Sequence, residues 1–103
     1  MHQFKELTVW QKAVDLATDA YRYTKNFPAE EKFGLTSQIR RSVVSISSNI
    51  AEGAGRKSKK EFKHFLHIAY GSASELENEH YKMLSEKITE IQKMIYSLSK
   101  SLK

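Results

Sequence analysis

Apolar residues recur every three or four positions in four separate runs of this chain. Trp10, Val14, Ala17, Tyr21 and Thr24 form the first stripe and predict an amphipathic helix over residues 9–26. Leu35, Ile39, Val43, Ile46 and Ile50 form the second, over 36–52. The third comprises Phe62, Leu66, Ala69, Ala73 and Leu76, over 59–77. In the last, Tyr81, Leu84, Ile88, Ile91, Ile95, Leu98 and Leu102 step 3-4-3-4-3-4, a coiled-coil-like seam over 79–102. No alternating Val/Ile/Thr-rich run competes for strand.

The breaks between stripes carry their own chemistry. Thr8-x-x-Gln11 and Ser58-x-x-Glu61 both fit a capping box, in which side chains satisfy orphan amides at a helix start. Phe27-Pro28 ends the first helix, because proline disfavours helix at the residue before it. Pro28 then opens a short turn that Gly34 closes. Gly53 is read as a left-handed stop for the second helix. Five serines in that helix (37, 42, 45, 47, 48) are weak helix formers, so tertiary contacts must hold it, and their small size permits close packing. From Leu76 to Tyr81 the three-four alternation fails. Either the chain turns around Asn78, or the third and fourth helices fuse with a phase slip.

Helices of this kind run to roughly 25–36 Å. Such matched lengths predict an all-α, up-down, left-handed four-helix bundle, with residues 1–103 as one domain.

Composition changes this picture little until charge is considered. Apolar residues are 40% and charged residues 28%, a balance that supports a packed core. Cysteine is absent, which removes disulfides, thiolate metal sites and thiol nucleophiles. MHQFKELTVW has no apolar signal core, and no apolar stretch approaches about 18 residues, so the expectation is a cytoplasmic chain without a membrane partner. The net charge is +5, and residues 56–63 hold five basic side chains against one acid. Residues 75–90 hold five glutamates and two lysines. That asymmetry points to a polyanionic partner or to charge-complementary self-association, against the plainer reading of a solvated surface.

The run GAGRKSKKEFKHF, Gly53–Phe65, invites several chemistries. Its glycine spacing is wrong for a phosphate loop, and it follows a helix where that motif needs a strand. Glu61-x-x-His64 and Glu77-x-x-His80 resemble the ligand pairs of di-iron bundles, but they lie about 24 Å apart along a helix and cannot share one centre. His64 and His67 read as surface or interface histidines. No G-x-S-x-G elbow supports a nucleophile. Neither a metal nor a cofactor is expected. Exposed amides at a helix start, with Arg56, Lys57, Lys59, Lys60 and Lys63 around them, suit phosphates of RNA or DNA. Arg40 and Arg41 extend the patch if their face adjoins it. The alternatives are a solvated loop or a protein-docking surface.

Several segments read together as a family. FKELTVWQKAVDLATDAY, FPAEEKFGLTSQIRRSVVSISSNIAEGAGR, SKKEFKHFLHIAYGSASELE and KMIYSLSKSLK closely resemble the bacterial four-helix-bundle proteins encoded in intervening sequences of 23S ribosomal RNA genes. The likeness spans nearly the whole chain, and SQIRR followed by SNIAEG is its most specific part. The resemblance implies an up-down bundle assembling into a homo-oligomeric ring of five. It also implies kinship with the accessory variability protein of diversity-generating retroelements, a basic pentamer that binds nucleic acid and a reverse transcriptase. No catalytic residue is carried over, and the family's basic character maps onto Arg40, Arg41, Arg56, Lys57, Lys59, Lys60 and Lys63. After SELE the chain departs from the family's pattern, which continues the third helix for about another dozen residues. The resulting expectation is a non-enzymatic accessory protein binding a nucleic-acid backbone. The alternative is an oligomeric scaffold that docks a protein such as a reverse transcriptase.

Overall fold

Four helices carry the four apolar runs in a computed structural model that describes residues 3–78 and 82–102. They are α1 (Thr8–Thr24), α2 (Leu35–Ala54), α3 (Lys59–Asn78) and α4 (Lys82–Ser101), with single 3-10 turns at Phe4–Glu6 and Ala29–Glu31. No strand occurs among the described residues. Helices α1 and α3 flank α2, while α4 packs against α3 and α1, so the four surround one core in a body of 45 × 20 × 19 Å.

The core is aliphatic. Leu16, Ile39, Val43, Ile46, Ile50, Phe62, Leu66, Leu76, Ile88 and Ile91 are fully buried. Each such side chain contributes about 1.5–3 kcal/mol over remaining exposed. The stripes read in the second, third and fourth runs are the buried ones, with Leu35 and Leu98 only half-buried and Tyr81 outside the described residues.

The first stripe is displaced by one position. Val9, Ala13, Leu16, Ala20 and Thr24 face the core, while Trp10, Val14 and Ala17 flank it and Tyr21 is exposed. Both series share one wide apolar face; Val9, Ala13 and Ala20 take its centre in place of the larger Trp10, Val14 and Tyr21 and let α1 approach α2 and α4, with Leu16 filling the core between them. The large rings go to the margin, where Trp10 meets Phe4 edge-on at 5.1 Å.

Two cap assignments also change. Thr8 is the first residue of α1 but makes no cap; Leu7 occupies the cap position, and the Gln11 amide donates to the Lys5 carbonyl at 2.9 Å. Gly53 lies inside α2, which continues to Ala54 and ends on Gly55 in right-handed geometry. A Cβ at Gly53 would stand 2.8 Å from Phe65 Cβ and 2.9 Å from Phe62 Cδ1. Glycine is required there for helix approach, not for a turn.

Small residues line the same contact further along. Ser42 is buried, and the hydroxyls of Ser45 and Ser72 share a 2.8 Å hydrogen bond. The Asn49 amide donates to the Ser45 carbonyl at 2.8 Å. Across the next seam, Gln92 Nε2 donates to Ser74 Oγ at 2.9 Å. Helices α3 and α4 therefore lie side by side, which excludes one fused rod; residues 79–81, with Glu79 and His80, fall outside the described residues. Helix α4 meets α1 through the ion pairs Lys12–Glu90, at 3.2 Å, and Lys87–Asp19.

Candidate nucleic-acid interface

The connection from α2 to α3 is short and well tied. The Gly55 N–H donates to the Ala51 carbonyl at 3.2 Å, and the Arg56 N–H to the Gly53 carbonyl at 3.1 Å. Ser58 then starts α3 as the sequence predicts. Its hydroxyl accepts from the Glu61 N–H at 3.1 Å and donates to Glu61 Oε1 at 3.1 Å. The first amides of α3 beyond that cap have no intrahelical acceptor and carry the positive end of the helix dipole.

Five of the seven predicted cations gather here, but they are not equivalent. Arg56 is committed to the fold. Its guanidinium reaches Glu52 at 3.2 Å and Glu61 at 3.7 Å, and lies over the Phe65 ring at 4.9 Å. It thus clasps the end of α2 to the start of α3 and neutralises both nearby carboxylates. Lys57, Lys59, Lys60 and Lys63 are exposed, and no described carboxylate pairs with any of them. With the loop's acids already taken by Arg56, these four ammonium groups leave an uncompensated positive rim around the α3 start.

Arg40 and Arg41 lie elsewhere. They sit near the opposite end of α2, about 20 Å along the helix from its last residue, Ala54. Arg40 Nε donates to Thr24 Oγ1 at 3.0 Å, and its guanidinium covers the Tyr21 ring at 4.6 Å. That arrangement stabilises the last turn of α1, where a cation meets the negative end of the dipole. Arg41 is exposed.

The described histidines, His64 and His67, lie on the outside of α3. Among the described residues no three His, Asp or Glu side chains converge as a metal site. His64 packs edge-on to Phe65 at 5.4 Å, Glu61 is held by Ser58 and Arg56, and His80 lies outside the described residues. Among the described residues no helix is long and apolar enough to cross a membrane.

Sequence reasoning missed a second feature beside the rim. Between α3 and α4 runs a groove of about 360 Å³ lined by Leu66, His67, Tyr70, Ile95, Tyr96 and Ser99. Tyr70 and Tyr96 fall off the two buried stripes, and only the pairing of α3 with α4 shows that they share a wall. The signal was present as an exposed tyrosine in each helix, but the register between them was not.

No curated protein sequence matches this chain. The family model for the 23S rRNA-intervening sequence protein matches residues 5–79, spanning α1 to α3 with the basic loop and ending before α4. With that match over most of its length, the chain belongs to the 23S rRNA-intervening sequence protein family.

Proposed function

We propose that this protein is a non-enzymatic accessory factor that binds the phosphate backbone of RNA or DNA through the rim at the start of α3. The observation that carries this reading is the set of four exposed, unpaired lysines, Lys57, Lys59, Lys60 and Lys63, beside the free amides of that helix. Lysine presents a point charge without the bidentate fork of arginine, so the contact follows charge and not base identity. Arg56 supports the surface by holding Glu52 and Glu61 away from incoming phosphate, and it leaves the loop without a free carboxylate base.

In this reading the four helices form an up-down, left-handed bundle in the cytoplasm. Its support is the pairing of residues late in one helix with residues early in the next, as with Gly53 and Phe62 or Thr24 and Arg40. The bundle assembles as a homo-oligomeric ring of five, so light scattering should return about five times 11.9 kDa.

The decisive experiment measures binding of labelled RNA and DNA across a salt series. For single strands, each phosphate neutralised contributes about −0.7 to the slope of log affinity against log salt, so four lysines give roughly −3. K57E, K59E and K60E together should abolish binding and flatten that slope. Binding that is absent, or that ignores salt, refutes the reading. A second reading, docking of a protein such as a reverse transcriptase, is favoured by Phe33, which is 89% exposed at the bundle's other end. Capture of the partner after nuclease treatment, lost in F33A, would support it.

A further inference from the structure

The groove between α3 and α4 combines three properties that a mere packing seam lacks. It presents two aromatic rings to solvent, with Tyr96 57% and Tyr70 38% exposed. Among the described residues neither ring stacks on another ring. Small neighbours, Thr89, Ser97 and Ser99, leave open space beside the rings.

Two cations stand beside the rings. Lys100 Nζ stands 5.3 Å from the centroid of Tyr96, and Lys93 lines the groove's extension between Tyr70 and Tyr96. Among the described residues no carboxylate lines either part of the groove, and Glu86 and Glu90 line the adjoining cleft that shares Thr89 and Lys93. On α3, Lys63 and His67 precede Tyr70 at helical spacing on the same side, so the α3 face runs from the basic rim to the rings over about 15 Å. A base has an uncharged, polarizable face that stacks on an exposed ring, and its phosphate is an anion. The groove offers partners for both. An acidic peptide would use the lysines but leave the flat rings without a partner of their own kind.

We infer that this groove takes unpaired nucleotides of a single-stranded nucleic acid, with bases stacked on Tyr70 and Tyr96 and phosphates held by Lys93, Lys100 and Lys63. The inference rests on the nucleic-acid reading above and adds a substrate class to it. A duplex keeps its bases stacked inside and engages only the lysines. A single strand engages rim and rings together, in the way that sequence-tolerant single-strand binders combine a charged track with aromatic platforms.

The test uses fluorescence anisotropy of the full chain with three probes. These are an unstructured RNA oligopyrimidine of about a dozen nucleotides, its DNA counterpart, and a duplex of equal length. Y70A and Y96A should each weaken single-strand binding between about fivefold and a hundredfold and leave the duplex unchanged. Y70F and Y96F keep the ring and should bind as the parent does. Equal losses for RNA and DNA support stacking alone, and a larger loss for RNA adds a contact to its 2′-hydroxyl. Single-strand binding that survives Y70A/Y96A but is lost in K57E/K59E/K60E overturns the inference and leaves the broader reading standing. A change in molecular mass of Y70A/Y96A also overturns it, since the groove is then a contact between copies. If no probe binds the parent chain, the broader reading fails first.

Discussion

Gly53 and Gly71 both sit inside helices, and their surroundings dictate opposite responses to the same change. An added methyl at Gly53 meets Phe65 Cβ, an atom fixed to the α3 backbone, so α2 and α3 must move apart. G53A should destabilise by about 1–3 kcal/mol despite alanine's better helix propensity. At Gly71 a Cβ would meet nothing within 4 Å. G71A should stabilise by about 0.5–1 kcal/mol, because glycine loses more backbone freedom on folding. Urea denaturation followed by circular dichroism checks both, and a destabilised G71A or a neutral G53A contradicts the geometry. Nothing in the sequence shows which of these two glycines is crowded. Gly53 in SNIAEG reads as a stop because helix-terminal glycine is common, and only the position of Phe65 on another helix reveals the close approach. The same limit applies to Arg56, whose charge is plain in the sequence but whose engagement by Glu52 and Glu61 is not.

At the scale of elements, the Ser58 box shows how local signals succeed. Hydroxyl and carboxylate lie within one turn, so no tertiary information is needed to place them. S58A should cost about 1 kcal/mol of stability and leave Lys57, Lys59 and Lys60 able to bind nucleic acid, measured by thermal melting alongside binding. Thr8 carries the same pattern and fails, because the 3-10 turn Phe4–Glu6 brings the Lys5 carbonyl to Gln11 and places Leu7 at the cap. The stripes of α2 and α4 are legible because branched aliphatics mark them, and that of α3 because Phe62, Leu66 and Leu76 bracket two alanines at the same spacing. In α1 the apolar face is broad enough for two registers, and packing against α2 and α4 chose the one that keeps the large rings of Trp10 and Tyr21 out of its centre.

For the whole molecule, charge and packing divide along the bundle. The rim at the start of α3 is positive, and the Arg40–Thr24 contact marks the far end, where cations serve α1. The candidate site was readable as composition, since the lysines crowd one short stretch. Its partition into a structural arginine and free lysines was not, and neither was the aromatic groove, which exists only once α3 and α4 are set side by side.

Among α1 to α4, each helix meets its successor in the chain, and the sole partnership between distant parts of the sequence is that of the first helix with the last. Such local wiring places folding in the microsecond-to-millisecond range. The contact of α1 with α4 closes the circle of helices, with Lys12–Glu90 and Lys87–Asp19 at its margin, partly exposed pairs worth at most about 1 kcal/mol each. Loosening that seam parts α1 from α4 while α2 and α3 keep their own contact.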